Sequence, residues 1–336
     1  MAPNEIMALL MFASFITLVF TGFPVAWILG GLAVLFTAFS MVLEIDLNVP
    51  IGLDWNYTSL TVDRIWNVME NWVMVALPMF IFMGLLLDRS GIANQLMISF
   101  ARLFGGIRGG LAVAVTLIGL LLAATTGIIG ASVVLLALLG LPVMMKQGYD
   151  TALAAGTVCA VGTLGILIPP SIMLVLMADR MSMSVGDLFL GAVFPGLILS
   201  GLYLVYIGTL CAIRPNLAPL MPEEELKIPL MKLGIKVVRT FVPPLFLIFL
   251  VLGSIFLGWA TPTEAAGVGA AGSILLAWLN RRLNKDTVKN VTFRTAQITS
   301  MVFLIVVGAT SFSYVFRSLG GEEVIDKILL GLPFGA

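Results

Sequence analysis

Gly162-Thr163-Leu164-Gly165-Ile166-Leu167-Ile168-Pro169-Pro170-Ser171 interrupts an otherwise apolar stretch that is long enough to cross a membrane. Pro169 and Pro170 remove two backbone donors and clash with the preceding turn, while Gly162 and Gly165 leave the backbone uncovered by side chains. In hydrocarbon, freed carbonyl groups survive only where protein buries them or where they line a hydrated cavity. Discontinuous helices of this kind form ion and substrate sites in secondary transporters. The stretch therefore predicts a broken helix at a transport site.

The composition independently indicates an integral membrane protein. Hydrophobic residues make up 60% of the 336 residues, charged residues only 11%, and the mean hydropathy is +1.10. Apolar runs close to the ~20 residues needed to span a bilayer recur along the chain. The 18 basic and 18 acidic residues balance, and no basic stripe with interleaved aromatic residues is present, so nucleic acid is excluded as a partner. We predict an all-α polytopic membrane protein surrounded by the lipid bilayer.

The residue types argue against an enzyme. The sequence has no histidine, and its two cysteines, Cys159 and Cys211, lie in apolar surroundings without a metal-ligand set. Our span assignment leaves no Asp, Glu, Lys or Arg near the centre of any span, so proton relay through a buried carboxylate has little support. No cofactor is expected apart from a coupling ion, and oxygen dipoles remain as cation ligands.

We predict unbroken spans at about residues 6–20, 24–43, 72–87, 188–213, 241–259, 265–279 and 296–316, and a broken span at 151–178. The acidic segment 44–71 carries Trp55 and Trp66 and is expected at the membrane interface, which tryptophan favours. Residues 214–239 form a charged amphipathic linker. The domain prediction is scaffold spans and an interfacial arm at 1–108, half of a transport domain at 109–213, a cytoplasmic linker at 214–240, and the start of a second repeat at 241–336.

Residues 109–145 are apolar but are cut by Thr125-Thr126-Gly127-Ile128-Ile129-Gly130-Ala131-Ser132, so they form either two full spans or a re-entrant hairpin. Two full spans would leave a Thr/Gly turn with no charged anchor on the far side. The hairpin is favoured, and it places every basic residue on the cytoplasmic side except Arg64, Arg180, Arg317 and Lys327. The N-terminus is then outside.

The candidate ion and substrate site combines the hairpin tip with the broken helix. The site contains hydroxyl groups, freed backbone carbonyls and the proline pair that creates the break. Its residues are Thr125, Thr126, Gly127, Gly130, Ser132, Gly162, Thr163, Gly165, Pro169, Pro170 and Ser171. Helix ends that converge there would present partial positive charge to an anion and partial negative charge to a cation.

Structural interpretations compete with the functional ones. Glycine pairs such as Gly127 and Gly130 often serve close helix packing. Ser171 is a helix N-cap candidate, and Thr125 or Thr126 can hydrogen-bond carbonyls in its own turn. For Thr261-Pro262-Thr263-Glu264 we favour a helix N-cap with proline at the first helical position over a ligand role.

A weak internal similarity suggests an inverted repeat. Residues 80–84 lead to Arg89-Ser90-Gly91, and residues 311–316 lead to Arg317-Ser318-Leu319-Gly320, on spans of opposite predicted direction. A complete second copy would continue into another hairpin and another broken helix. We therefore expect the second repeat to be incomplete and the sequence to be a fragment of a longer protein.

The residues resemble the large membrane subunit of tripartite ATP-independent periplasmic (TRAP) transporters over the whole chain. The most specific pieces are residues 162–171, Gly109-Gly110-Leu111-Ala112 with Gly148-Tyr149 after the hairpin, and Ala260-Thr261-Pro262-Thr263-Glu264-Ala265-Ala266. The resemblance implies an inverted-repeat, elevator-type permease in the bacterial inner membrane. It also implies two partners, a small TRAP membrane subunit and a periplasmic substrate-binding protein.

The resemblance further implies symport of an organic acid with sodium, whose ligands here would come from Thr126, Gly162, Thr163 and Gly165. The chain departs from the family by lacking the second hairpin and the second broken helix, so in this form it is not expected to transport. A stand-alone sodium-coupled anion carrier that needs no binding protein is the alternative.

Overall fold

The computed structural model describes residues 2–47, 51, 53, 55, 59–127, 129–221 and 230–330. Over these residues the protein is helical and contains no strand. The first seven α-helices are α1 (Pro3–Val19), α2 (Val25–Leu47), α3 (Thr61–Met69), α4 (Trp72–Arg89), α5 (Ile92–Phe104), α6 (Gly110–Thr126) and α7 (Ile129–Lys146). They are followed by α8 (Thr151–Leu167), α9 (Ile172–Arg180), α10 (Val185–Ile213), α11 (Leu230–Phe256), α12 (Pro262–Leu279), α13 (Lys285–Ser318) and α14 (Gly321–Leu330). The all-α prediction is confirmed.

The described helices include five that are long and apolar enough to cross a membrane, or six if the bent pair α8–α9 counts as one span. The two hairpin helices are not among them. With 17 residues in α6 and 18 in α7, each is about 26 Å long at 1.5 Å per residue, shorter than the ~30 Å hydrocarbon core. Since α4 has 18 residues and is counted as long enough to cross, this length does not decide between a re-entrant hairpin and two full spans, and the hairpin stays a prediction.

Two helices begin eleven residues earlier than the sequence predicted. Helix α11 starts at Leu230 instead of Phe241, and α13 starts at Lys285 instead of Ala296. Both added segments are amphipathic and charged. A search for apolar runs therefore leaves them out of the spans, although their residues favour helix and continue the same helix. The acidic segment 44–71 contains the short helix α3, and residues 222–229 of the predicted linker lie outside the described residues.

Several contacts within the chain join residues that the charge distribution places on the same side of the membrane. Among residues predicted on the outer side, the Glu5 carboxylate pairs with Lys327, and the Arg64 guanidinium lies 5.9 Å from the centroid of the Tyr314 ring. The Thr263 hydroxyl, also assigned outside, donates to the carbonyl of Trp72 at 3.0 Å. Because these residues are far apart in sequence, their pairing supports the predicted topology independently of the charge count.

The chain forms two compact units, one made of residues 1–71 and 297–336 and the other of residues 72–296. In the first unit, α1 packs against the second half of α13, with the rings of Phe15 and Phe312 5.4 Å apart. Close approach of helices also depends on Gly308, where a Cβ atom would lie 2.7 Å from the carbonyl oxygen of Ala26. The functional division into domains stays a prediction.

The second unit contains the hairpin, whose helices interlock with α8 through glycines. A Cβ atom at Gly119 of α6 would lie 2.1 Å from Val161 of α8, and one at Gly162 of α8 would lie 2.1 Å from Val133 of α7. Real atoms cannot approach so closely, so the absent side chains are what allow the three helices to touch. The hairpin and α8 therefore pack as one body.

The two halves of the weak repeat share an order of elements. A long helix, α4 or α13, is followed by a left-handed glycine, Gly91 (φ +74°) or Gly320 (φ +80°), and then by a shorter helix, α5 or α14. The sequence similarity thus coincides with a similarity of local structure.

The capping prediction at the start of α12 is confirmed. The Thr261 hydroxyl accepts from the Glu264 backbone N–H at 3.3 Å, and the Glu264 carboxylate accepts from the Thr261 N–H at 2.8 Å. The carboxylate accepts from both the backbone N–H and the hydroxyl of Thr261, and these two bonds to its charged form lower the pKa of Glu264.

Replacing Gly162 with alanine is expected to destabilise the protein by about 1–3 kcal/mol, because the new methyl group overpacks against Val133. Gly156 on the same helix is the matched control, since a Cβ atom there meets nothing within 4 Å. Gly156→Ala should be neutral or stabilising by up to about 1 kcal/mol, because alanine favours helix. Thermal unfolding of both variants measures the difference, and equal melting temperatures would contradict the interlocked packing.

The Glu5–Lys327 pair predicts a pH window for the contact between α1 and α14. Lys327 lowers the pKa of Glu5 from 4.5, and Glu5 raises the pKa of Lys327 from 10.5. The contribution of Glu5 is complete above pH 4.5 and is lost as the pH falls through its lowered pKa; that of Lys327 is complete below pH 10.5 and is lost as the pH rises through its raised pKa. Hydrogen exchange of residues 321–330 should be slow inside this window and faster in Glu5→Gln. Exchange that is the same in the variant and the wild type would show that the pair does not hold α14.

Candidate functional site

The base of the hairpin is fixed by a hydrogen bond that joins two of the motifs seen in the sequence. The Leu111 backbone N–H, from the Gly109–Ala112 motif, donates to the Tyr149 hydroxyl oxygen at 3.2 Å. Burial raises the pKa of Tyr149 to about 12, so the hydroxyl stays neutral at physiological pH. Gly109 (φ +77°) lies so close to Cys211 of α10 that a Cβ atom there would be 2.7 Å from its sulfur. The first turns of α6 and α8 therefore lie side by side at the base of the hairpin.

The break begins where the prolines remove helical donors. Helix α8 ends at Leu167, and the Ile168 N–H makes the last bond of the ladder, 2.9 Å to the carbonyl of Leu164. The next two donors in the ladder would be residues 169 and 170, both proline, so the carbonyls of Gly165 and Ile166 lose their helical partners. The Pro169–Pro170 peptide bond is cis, and α9 leaves at 42° to α8. The predicted broken helix is confirmed.

Ser171 satisfies one of the two freed carbonyls. Its hydroxyl donates to the carbonyl oxygen of Ile166 at 2.8 Å, and the side chain makes no capping bond to α9. Ser171 thus occupies the predicted N-cap position of α9, but its hydroxyl makes no capping bond because it is engaged with the preceding helix. The carbonyl of Gly165 is the other of the two that lose a ladder donor to the proline pair.

The hairpin tip meets this break directly. Gly127 (φ +60°) ends α6, and a Cβ atom there would lie 3.1 Å from the backbone nitrogen of Ile172 and 3.3 Å from the carbonyl oxygen of Pro170. The two predicted halves of the site are thus in backbone contact. Their meeting follows from length, since α6 and α8 each have 17 residues and start from the same level.

Four helix ends converge at this contact. Helices α6 and α8 end there, which presents carbonyl groups and partial negative charge, and α7 and α9 begin there, which presents N–H groups and partial positive charge. The arrangement can stabilise a cation and an anion side by side without any charged side chain. No group of three or more His, Cys, Asp or Glu side chains that could hold a metal occurs in the described ranges, so cation ligands would be hydroxyl and backbone oxygens.

The predicted site residues of the broken helix occupy different environments. Gly165, Pro169 and Pro170 are buried at the break. Thr163 is exposed, and its hydroxyl donates to the carbonyl of Ala160 at 2.7 Å, which leaves its oxygen able to accept a ligand. Gly162 lies inside α8 and makes room for Val133. Its packing role is therefore visible, and its ligand role stays a prediction.

The predicted residues of the hairpin tip are also distributed unevenly. Ser132 is fully buried in the first turn of α7. Gly130 borders open space, since a Cβ atom there would meet nothing within 4 Å. Thr125 and Thr126 belong to the last turn of α6, but their side chains lie outside what the structure describes, and their ligand roles stay predictions.

A cavity of about 540 Å³ leads toward the break from the predicted cytoplasmic side. It lies between α8 and α10, with Asp150 and Arg214 at one end and Val161 at the other, next to Gly162. Tyr203 and Tyr206 line its α10 wall. Sequence reasoning missed these α10 residues because aromatic residues in an apolar span carry no local signal for a cavity. The Gly148-Tyr149 pair, in contrast, is recognisable in the sequence as part of a motif, and the structure shows that Tyr149 accepts the Leu111 N–H.

Comparison with known proteins identifies the family. The model of the family described as "Tripartite ATP-independent periplasmic transporter, DctM component" matches residues 12–336. The chain belongs to this family. A C4-dicarboxylate TRAP transporter large permease protein of Pseudomonas aeruginosa is 34% identical over 267 residues, which cover 79% of this chain and 60% of that protein.

More distant relatives carry names with other solutes. An isethionate TRAP transporter permease protein of Oleidesulfovibrio alaskensis is 28% identical, and the aligned residues cover 90% of this chain and 48% of that protein. An ectoine TRAP transporter large permease protein of Halomonas elongata is 29% identical, and the aligned residues cover 72% of this chain and 55% of that protein. The chain therefore spans about half to three fifths of the length of these relatives. The relatives are named as transporter permeases and not as enzymes, and the TRAP permease is a multi-pass protein of the inner membrane.

Gly127→Ala is expected to separate the hairpin tip from the break. Alanine at φ +60° costs about 1–2 kcal/mol in backbone strain, and its methyl group would crowd Ile172. Hydrogen exchange of residues 171–175 should accelerate, and the melting temperature should fall. Gly130→Ala is the matched control: it should leave the exchange unchanged and the melting temperature unchanged or slightly higher, because its methyl group enters open space at a helical position. Similar behaviour of the two variants would contradict the contact.

Proposed function

We propose that this TRAP permease is the large membrane subunit of a sodium-coupled secondary transporter that imports a small organic anion. The solute is delivered by a periplasmic binding protein, and a small membrane subunit completes the assembly. The observation that carries the proposal is the contact of Gly127 with residues 170–172, which brings four helix ends and a proline-freed carbonyl together.

The cation part of the proposal rests on the oxygen atoms at the break. Ser171 already satisfies Ile166, so the Gly165 carbonyl is the first candidate ligand. The exposed Thr163 hydroxyl lies two residues earlier, on a different face of α8, and is a further proposed ligand. The C-terminal ends of α6 and α8 add partial negative charge. Backbone carbonyls and hydroxyls are the ligands that a hard monovalent cation such as sodium accepts. Thr126 and the Gly162 carbonyl are the remaining proposed ligands.

The anion part rests on the N-terminal ends of α7 and α9. Their first N–H groups have no partner within their own helices and favour a carboxylate or sulfonate group. C4-dicarboxylates, isethionate and ectoine, which appear in the names of relatives, all carry such a group. The cavity between α8 and α10 extends from Arg214, at the predicted cytoplasmic end, to Val161, which lies on the same helix before the break. Cation and anion would each lower the electrostatic cost of the other at adjacent helix ends.

Sodium binding can be tested on the chain alone. Saturating sodium should raise its melting temperature, since a ligand at a hundred times its dissociation constant stabilises by about 2.7 kcal/mol. Pro169→Ala restores a donor for the Gly165 carbonyl and should reduce the shift. Pro142→Ala, at another proline inside an apolar helix of this unit, is the matched control and should keep it. An identical shift with potassium, or a full shift in Pro169→Ala, would reject this cation site.

Transport is tested by solute uptake into proteoliposomes that contain the complete open reading frame with its neighbouring membrane and periplasmic subunits. C4-dicarboxylate, isethionate and ectoine serve as probes, with and without an inward sodium gradient. The proposal predicts uptake that needs both the sodium gradient and the binding protein. Uptake without the binding protein would instead favour a stand-alone carrier, and uptake that ignores sodium would contradict the coupling.

A further inference from the structure

Helices α8 and α10 contact each other at two levels and separate between them. At the break, a Cβ atom on Gly196 of α10 would lie 3.0 Å from the Ile168 side chain. At the base, the Asp150 N–H donates to the carbonyl of Leu217 at 2.9 Å. Between these levels, Gly156 on the α8 wall has no side chain, and a Cβ atom there would meet nothing within 4 Å. The cavity of about 540 Å³ occupies this gap.

The cavity lies on the packed face of α10 and not on the face that is turned outward. At about 100° per residue, Tyr203 and Arg214 lie within about 20° of Gly196, which packs against the end of α8. Val205 lies on the opposite side of the helix, where 62% of it is exposed. Tyr206 lies at the edge of the packed face. The polar wall of the cavity is therefore distinct from the outer surface of this candidate span.

Three polar side chains of the lining have no partner in the described part of the chain. No hydrogen bond, ion pair or ring contact joins the Arg214 guanidinium or the hydroxyls of Tyr203 and Tyr206 to another described residue. The Asp150 carboxylate accepts from the Leu153 N–H at 3.0 Å, and the N-terminus of α8 offsets its charge. A guanidinium has only donors, and a phenol donates one hydrogen. The free groups of the cavity are therefore mainly donors.

The two tyrosine hydroxyls lie deep in the predicted span. Tyr206 and Tyr203 precede Arg214 by eight and eleven residues, which places them about 12 and 16 Å from the cytoplasmic end of α10. The hydrocarbon core is ~30 Å thick, so both lie near its middle. Side chains of helical residues also lean toward the helix N-terminus, which here points away from the cytoplasm. Since an unpaired hydroxyl is costly in an apolar environment, the cavity favours a polar occupant.

We infer that the cavity between α8 and α10 binds a small organic anion, with its carboxylate or sulfonate at Arg214 and its other polar atoms at Tyr203 and Tyr206. An excess of donors selects an anion, and the volume lies within the ~300–1,000 Å³ that is usual for ligand pockets. The inference rests on the proposed function for the class of anion. It assigns that anion a second site, because the cavity ends at Val161, before the break.

The test measures binding of radiolabelled succinate to the purified 336-residue chain in a potassium buffer without sodium. Sodium is left out because the proposed site at the break couples anion binding to that ion. Binding should be saturable, and isethionate should displace succinate whereas the uncharged succinamide should not. Absence of saturable binding would overturn the inference, as would equal displacement by succinamide. Displacement by phosphatidylglycerol and not by isethionate would assign the cavity to a lipid phosphate and would overturn it too.

Arg214→Gln should raise the dissociation constant of succinate about tenfold to a hundredfold, because it removes a charge-assisted hydrogen bond. Tyr203→Phe/Tyr206→Phe keeps both rings and should raise the constant about tenfold. Arg294→Gln is the matched control, since Arg294 is exposed at the predicted cytoplasmic end of α13 and does not line the cavity. Its affinity should equal that of the wild type. Equal losses in the two arginine variants would mean a general effect of charge and would overturn the inference.

Gly156→Leu tests the cavity without removing a polar group. The leucine side chain would enter the open space beside α8, so succinate binding should be lost while the melting temperature stays the same or rises. Full binding in a Gly156→Leu protein that melts like the wild type would show that the anion binds elsewhere.

Failure of this inference and failure of the proposed function give different results. Binding that is kept in Arg214→Gln but lost in Gly127→Ala would place the anion at the break, which overturns the cavity site and leaves the proposed function standing. Uptake by the complete open reading frame that ignores sodium, together with succinate binding that depends on Arg214, would contradict the proposed function and leave the cavity site standing.

Discussion

Backbone carbonyls cannot remain unpaired in hydrocarbon, and this constraint organises the centre of the protein. Pro169 and Pro170 withhold two donors from α8. The Ser171 hydroxyl replaces one of these donors, because it donates to the Ile166 carbonyl oxygen at 2.8 Å. The Gly165 carbonyl loses its ladder donor in the same way, and it is the acceptor that we propose for a cation.

The rest of the second unit serves to bring the tip to that position. The Leu111–Tyr149 bond sets a common base, helices of equal length carry tip and break to the same level, and glycines at positions 119 and 162 let α6, α7 and α8 touch. A left-handed glycine at position 127 then allows backbone to meet backbone. Each of these features depends on small residues or on helix length, so the contact between the hairpin tip and the break needs no charged side chain.

The sequence predicted the elements that depend on strong local signals. The proline pair identified the break, the Thr/Gly run identified the hairpin turn, and the Thr261–Glu264 pattern identified the cap of α12. It did not predict the early starts of α11 and α13, because amphipathic charged turns do not show in a search for apolar runs. Nor could it show that Ser171 bonds backwards to Ile166 or that Tyr203 and Tyr206 border a cavity. Those facts depend on how α8, α9 and α10 are placed, which no local pattern encodes.

The most direct test of the account is hydrogen exchange of the backbone amides of residues 127–132 and 171–175, measured in sodium and in potassium at equal ionic strength. If the hairpin tip and the broken helix form one cation site, sodium should slow exchange in both segments together, and potassium should not. Exchange that is identical in the two salts, or slowed in only one of the two segments, would contradict a shared site.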